Sequence, residues 1–592
     1  MNSAPNPNPV SLIPEAALFT EDQRAWLSGF LVGLFAAPSL AGLGQSTPTA
    51  AVAPRPPLLI LYGSQTGTAE QLAKRLGAEA DQRGFASRVL EMSAWASIDL
   101  KSEPRLLLVT STWGDGDPPD NAVAFWNFLN SDAAPKLDHL AFSVLALGDR
   151  NYSDFCGAGK KFDARLEQLG AKRFLPCAEC DVDYEAPAKA WMDAVWTTLG
   201  TKESAVAPVV APVETQAVGW SKTNPFPARL LTNRLLGAPG SAKETRHFEI
   251  SLRDSGLNYE VGDALGVMPA NCPALADEIL AALRCDGEEG VKLANGNELS
   301  LRKALLDHFQ ITRITQPLLA AFAEHTKDAH LAGLLNPANK PALEKFLYGR
   351  EIIHLLLAHP EVKFTPAEFT ALLPKLQPRL YSISSSPKAH PGEVHLTVAV
   401  VRYDGHGRPC KGVCSTFLAE RAGENVPVPV FIQTSHGSRL PADPAAPVIM
   451  IGPGTGIAPF RAFLEERRAI GAKGKNWLFF GDQKCATDFL YADELENFRR
   501  DGHLTRLDTA FSRDQADKIY VQHRMLEAAA EFWSWLESGA HVYVCGDAKR
   551  MAADVDIALQ QLIQTAGART PGQAADYVQK LRHEKRYQRD VY

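Results

Sequence analysis

The stretch LLILYGSQTGTAEQLAKRL, Leu58 to Leu76, sets an apolar run against a cluster of hydroxyls and glycines, and then an amphipathic pattern begins. Strand, small polar loop and helix in that order make an anion site, because backbone N–H groups at the helix N-terminus face the ligand. The turn runs Ser64, Gln65, Thr66, Gly67, Thr68, Ala69 and matches neither GxxxxGK(S/T) nor GxGxxG. It holds hydroxyl donors but no Lys or Arg, whereas phosphoryl transfer wants a cation and a metal. These residues suit a phosphate ester that is held permanently.

Two more loops lie downstream. STWGDGDPPDN follows the apolar run Leu106–Val109 and offers Ser111, Thr112, Trp113 and Gly114. LGDRNYSDFCGAGKKFD closes the run Phe142–Leu147 and offers Leu147, Gly148, Asp149, Asn151, Tyr152, Phe155 and Cys156. A planar ring between the aromatics Trp113 and Tyr152, with its phosphate in the first turn, describes FMN. Asp115, Asp117 and Asp120 make the surroundings acidic, which disfavours an anionic reduced flavin by Coulomb repulsion and poises it as a strong one-electron donor. In order and spacing the three loops resemble those of flavodoxin domains.

A second flavin site resembles the FAD barrel of the ferredoxin reductase family, through RLYSISSSP (379–387), HLTVAVVRY (395–403) and KGVCSTFL (411–418). Arg379 can neutralise a pyrophosphate, Tyr381 can stack on the ring, and Gly412, Val413, Cys414 and Ser415 open a helix toward the phosphates. The resemblance adds Leu380, Ser382, Thr397, Val398, Ala399 and Tyr403, with Thr312 by family position. VIMIGPGTGIAPFRAFLEERR, from Val448, is a further strand, glycine turn and helix. With FFGDQ (479–483), AFSRDQADKIYVQ (510–522) and YVCGDAKRMAADV (543–555) it resembles the NADPH-binding domain of the same reductases. Ser512, Arg513 and Lys518 place a hydroxyl and two cations for a 2′-phosphate, Tyr520 can stack on adenine and Gln522 can assist. Ile519, Val521 and Asp554 join the set by resemblance, and NADPH is expected over NADH.

The chain ends RYQRDVY, which alone would read as a fraying tail. Beside the other motifs it resembles the aromatic cover of the FAD ring, with Tyr592 where nicotinamide must arrive. Ser382, Cys545 and Asp590 then match the polar residues lining the hydride path, orienting rings and stabilising charge rather than forming covalent bonds.

Positioning these residues takes several domains. A chain of 592 residues, 45% hydrophobic and 22% charged, fits soluble globular protein, and roughly 150 residues per domain gives about four domains. Strand and helix patterns alternate from Leu58 to Leu199, which predicts a doubly wound parallel sheet with ligand at the strands' carboxyl ends. Helices are expected over 68–83, 122–129, 159–169 and 186–199. Two Ala/Pro/Val-rich linkers, 41–57 and 200–219, should be extended. The expected partition is a helix and linker over 1–57, a flavodoxin-like FMN domain over 58–200, a linker over 201–224, an FAD barrel over 225–440 with a helical insert at about 270–365, and an α/β NADPH-binding domain over 441–592.

Net charge is −7, and Leu58–Leu199 carries 20 acidic against 14 basic residues, which argues against nucleic acid and for a basic protein partner. The 9 cysteines are scattered and MNSAPNPNPV lacks a basic leader, so a reducing cytoplasm is expected. The pair Cys177 and Cys180 reads as structural. Ala25–Leu43 carries no formal charge, but Pro38 should end its helix after a length of about 20 Å against a hydrocarbon core of about 30 Å. No membrane span is expected. The helix opens at TEDQ, and its face of Trp26, Leu27, Phe30, Leu31, Leu34 and Phe35 either packs on its own chain or joins copies into a homo-oligomer.

Taken together, the chain resembles the diflavin reductase family and, within it, the bacterial sulfite reductase flavoproteins, from about Thr20 to the C-terminus. APKLDHLAFSVLALGD, RLYSISSS, KNWLFFGD, GAHVYVCGDA and KRYQRDVY carry that resemblance, while Trp113 stands where the family often has a smaller polar residue. It implies that electrons from NADPH pass through FAD and FMN to a sirohaem and iron–sulfur haemoprotein subunit. The chain should not reduce sulfite alone, because its close cysteine pairs, Cys177/Cys180 and Cys410/Cys414, are too few for a cluster, and no metal site is expected. Two alternatives stay open: a stand-alone reductase serving another haem protein, and a flavin-bound scaffold without turnover.

Overall fold

The apolar runs Leu58–Leu61, Leu106–Val109 and Phe142–Leu147 become parallel strands, and the amphipathic stretches between them become the helices that cover both sheet faces. The computed structural model describes residues 55–64, 67–113, 116–148, 154–181, 184–200, 219–293, 296–435, 437–548 and 550–592. The helix expected near the N-terminus and most of both linkers lie outside these residues, as do Gln65, Thr66, Gly114, Asp149, Asn151 and Tyr152.

In the first domain, strands β1 (Pro57–Gly63), β2 (Ala86–Glu91), β3 (Arg105–Ser111), β4 (Ala141–Leu147), β5 (Lys172–Arg173) and β6 (Ala178–Cys180) form one parallel sheet. Its order is β2-β1-β3-β4-β5, with β6 also on β4. Helices α1 (Thr68–Gln82), α2 (Val123–Leu129), α3 (Gly157–Gln168) and α4 (Glu185–Leu199) cover it. Two cores result, one centred on Ile60, Leu107 and Trp191 and the other on Leu61, Leu108 and Phe162. Gly159 is required where α3 crosses β4, since a Cβ there would lie 2.2 Å from the Ala146 Cβ.

The second domain is antiparallel. Strands β7 (Phe226–Ala228), β8 (Leu230–Leu235), β9 (Thr245–Ser251), β10 (Ala264–Val267), β11 (Arg379–Ser382), β12 (Glu393–Ala399) and β13 (Val428–Gln433) build sheets of order β11-β10-β13-β7 and β12-β9-β8 around one core. Between β10 and β11 a set of helices, Pro273–Leu283 through Pro366–Ala371, packs around its own core of Leu305, Phe322 and Phe369.

The third domain carries β14 (Val448–Ile451), β15 (Asn476–Asp482), β16 (Arg506–Phe511), β17 (His541–Gly546) and β18 (Tyr587–Val591), all parallel, in the order β16-β15-β14-β17-β18. The terminal RYQRDVY is therefore a paired edge strand and not a fraying tail. A polar seam ties the second domain to the third: Tyr491 Oη lies 2.9 Å from His247 Nδ1 and 2.6 Å from Thr397 Oγ1, and Arg461 donates to the Ser384 carbonyl at 2.6 Å. Burial, reinforced by the Arg461 charge, lowers the His247 imidazole to about 3, so that it stays neutral within the seam. Among the described residues no helix is long and apolar enough to cross a membrane.

Candidate functional site

At the carboxyl edge of the first sheet, Gly67 caps α1 with φ 89°, a conformation that glycine tolerates and side chains resist. Its N–H donates to Ser64 Oγ at 3.0 Å, and Ser64 N donates to Asn121 Oδ1 at 2.9 Å. Asn121, which sequence reasoning missed, is in turn fixed by Glu91 at 2.7 Å. Thr68 begins the helix and Ala69 is buried against the sheet, so Ala69 offers only its backbone.

Next to this turn, Thr112 N donates to the Leu147 carbonyl at 2.9 Å, which joins the second and third loops. Thr112 Oγ1 is buried and lacks a hydrogen-bond partner among the described residues. An orphaned hydroxyl at a strand end, beside a left-handed helix cap, fits a bound phosphate ester or flavin oxygen. Ser111 Oγ reaches the Gly63 carbonyl at 3.5 Å. Gly148 is confined, because a Cβ would lie 2.6 Å from Cys156 N. Phe155 lies under Lys160, and burial pushes the Cys156 thiol up to about 12, which makes it an inert packing group. Trp113 forms a two-way backbone bridge with Asp117 (2.8 and 2.9 Å), and its ring packs against the core of the third domain. In the same loop, Asp120 forms a bidentate ion pair with Arg589 of β18, one bond measuring 3.0 Å.

The second site lies where β11 meets the third domain. Arg379 and Leu380 are exposed, and burial raises the hydroxyl of Tyr381 beside Cys414 well above its ordinary range. Gly412 caps the short helix Val413–Thr416, and Ser415 Oγ accepts from Val401 N at 3.1 Å. Cys414 is buried and pushed up to about 12. Thr397 spends its hydroxyl on Tyr491 and Val398 lies in the barrel core, which leaves Ala399 as the exposed member of that strand end. Tyr403 donates to the buried Glu351 at 3.0 Å, a partner with no sequence signal. Thr312 accepts from Gln310 at 3.1 Å within the insert.

Three residues far apart in sequence converge here. Ser382 Oγ donates to Asp590 Oδ2 at 2.7 Å, and the Cys545 thiol faces the same oxygen at 3.9 Å. Burial raises the Asp590 carboxyl, although both of these contacts pull it down. Tyr592 Oη is 2.6 Å from Thr455 Oγ1 of the glycine turn, and Tyr592 remains 60% exposed. The turn itself is tight: a Cβ on Gly456 would meet the Cys545 carbonyl at 2.1 Å.

Beyond it, Ser512 N and Arg513 N donate to the carbonyls of Asp482 (2.9 Å) and Gln483 (2.8 Å). Arg513 and Lys518 are exposed and have no carboxylate partner among the described residues, which fits an anionic group, and Tyr520 is 43% exposed. Gln522 donates to Asp554 at 3.1 Å, while Val521 is core and Ile519 packs beside it.

Comparison with known proteins matches this architecture. A flavodoxin profile covers residues 60–191, an FAD binding domain profile 219–417, and an oxidoreductase NAD-binding domain profile 450–557. The sulfite reductase (NADPH) flavoprotein alpha-component of Bacillus subtilis is 46% identical over 581 residues, 97% of this chain and 96% of that one. Its counterpart in Mannheimia succiniciproducens is 43% identical over the full length of both chains, and that of Vibrio cholerae is 43% identical over 96% of this chain and 93% of its own. The chain belongs to the sulfite reductase flavoprotein alpha-component family. For a member of this family, the three matched profiles fall in turn on the three domains described above.

Proposed function

We propose that this chain takes electrons from NADPH and passes them through FAD and FMN to the sirohaem and iron–sulfur haemoprotein of an assimilatory sulfite reductase in the cytoplasm. The observation that carries the reading is the meeting of Ser382 from the barrel with Cys545 and Asp590 from the third domain, near the terminal aromatic Tyr592. When bound, the nicotinamide supplies electrons in pairs and the two flavins release them singly.

The chain's own residues position that exchange. Asp590 fixes the Ser382 hydroxyl and holds a buried carboxylate whose ionised form would stabilise positive charge at the nicotinamide position. Tyr592 covers the place where the nicotinamide arrives and must be displaced from Thr455. Arg513, Lys518 and Ser512 hold the 2′-phosphate, with Tyr520 against adenine. Arg379, Tyr381 and Gly412–Ser415 hold FAD. Ser64–Ala69, Thr112 and the loops of Trp113 and Gly148 hold FMN.

The test is reconstitution. The purified chain alone should reduce cytochrome c with NADPH and produce no sulfide from sulfite; added sirohaem haemoprotein should bring NADPH-dependent sulfide formation. Cytochrome c reduction without sulfide in the mixture would replace this reading by a stand-alone reductase, and neither activity would leave a scaffold.

A further inference from the structure

Asp482 ends β15 at the carboxyl edge of the third sheet, where open α/β sheets take their ligands. Its side chain is 2% exposed. A Cβ built on Gly454 of the glycine turn would lie 3.8 Å from Asp482 Oδ2. On the other side, the Asp482 carbonyl accepts from Ser512 N at 2.9 Å and from Ser512 Oγ at 3.3 Å. A buried carboxylate therefore stands between the glycine turn of the NADPH-binding domain and the residues assigned to the 2′-phosphate. Negative charges that close repel, the more so away from water.

The compensating charge comes from another domain. Lys243, just before β9 of the barrel, places its Nζ 2.5 Å from Asp482 Oδ1, and that oxygen also accepts from Gln483 N at 2.7 Å. The Lys243 loop is itself pinned across the boundary: Ser241 Oγ donates to Asp488 at 2.5 Å, and Ala238 N to the Thr487 carbonyl at 2.9 Å. Lys243 keeps 39% of its side chain exposed, so an ammonium with three N–H donors can hold Asp482 and still meet a phosphate oxygen.

We propose that Lys243 and Asp482 form the interdomain charge balance of the NADPH site: Lys243 belongs to the binding machinery although it lies on the FAD barrel, and Asp482 sets how strongly binding depends on it. This rests on the NADPH reading above. It makes NADPH affinity a property of two domains, because the site is electrostatically complete only while the barrel loop is seated against β15.

The test uses the full chain loaded with both flavins, with Lys243→Met, Asp482→Asn, the double variant and Lys243→Arg. KM and kcat for NADPH come from cytochrome c reduction, and Kd for NADP+ from calorimetry. Losing a charge-assisted contact should raise KM and Kd in Lys243→Met about tenfold or more, with kcat changed less than about twofold. Asp482→Asn should tighten both about threefold, the double variant should return to within about threefold of the parent, and Lys243→Arg should retain the parent's affinity. Unchanged KM in Lys243→Met, or a double variant as weak as Lys243→Met, overturns the proposal. If Lys243→Met loses its flavins, Asp482→Asn decides alone: weaker NADP+ binding in that variant refutes the balance. Failure of the parent chain to oxidise NADPH would instead refute the functional reading, which the order of the variants does not touch.

Discussion

Replacing Asp120 by Asn probes what seats the flavodoxin domain against the third domain. The perturbation is small in shape and removes one charge from a bidentate pair with Arg589. Both ends are less than a third exposed, Asp120 at 30% and Arg589 at 18%, so solvent screening leaves most of the interaction in place. A charge-assisted pair of this kind contributes about 1.5 to 3 kcal/mol, and about 2 kcal/mol shifts a docking equilibrium roughly 30-fold. The Trp113 contact remains, so the expected outcome is a mixed population and not complete release. Small-angle scattering of Asp120→Asn at low salt should give a larger radius of gyration than the parent, and raising salt should bring the parent toward the variant. Flavin-to-flavin electron transfer, followed by stopped flow, should slow in parallel. Superimposable scattering curves and equal transfer rates would refute the claim that this ion pair holds the domains together.

Asp590→Asn should slow reduction of FAD by NADPH at least about tenfold, as expected for loss of a preorganised charge. It should also stabilise the fold. Burial raises the Asp590 carboxyl, so folding penalises its charged form relative to the unfolded chain; its contribution is fully present below the ordinary value of about 3.9 and is lost as pH rises through the raised value. The Tm gain of Asp590→Asn should therefore be larger at neutral pH than in acid, and an equal gain at every pH would contradict this. Neutralising Arg513 and Lys518 together should lower kcat/KM for NADPH at least about tenfold more than for NADH, since each charge-assisted bond contributes about 1.5 kcal/mol or more; an unmoved ratio would make them surface charges. Removing the Tyr592 ring should narrow the preference for NADPH over NADH and slow NADP+ release, both read from steady-state and stopped-flow kinetics, because nicotinamide would no longer compete with a ring held by Thr455.

Much of this site was legible along the chain, wherever a strand, its turn and its helix are contiguous. SQTGTA, GVCST and GPGTG each announce a local backbone shape, and the structure forms a helical cap at each. What escaped is what folding brings together across hundreds of residues. Lys243 and Asp482 are 239 positions apart, and Asp120 and Arg589 are 469 apart. No local pattern marks such pairs. Trp113 was expected to stack on a flavin; its ring also packs against the third domain, a surface that exists only after the domains meet. Strand β2, ASRVLE, was missed because it is an edge strand without an apolar run, only partly buried along its length. The helix boundaries differ from the sequence-based ranges by a residue or two, where caps rather than periodicity decide.

The central claim is that two flavins in one chain relay electrons from NADPH. Its most direct test is an anaerobic NADPH titration of the purified chain, beside acid extraction and chromatography of its flavins. The account predicts FMN and FAD in equal amounts, with the shared flavin absorbance bleaching to the extent expected for two reduced flavins per chain. A chain that, after reconstitution with both flavins, carries FAD alone, or whose FMN stays oxidised while FAD is reduced, would contradict it.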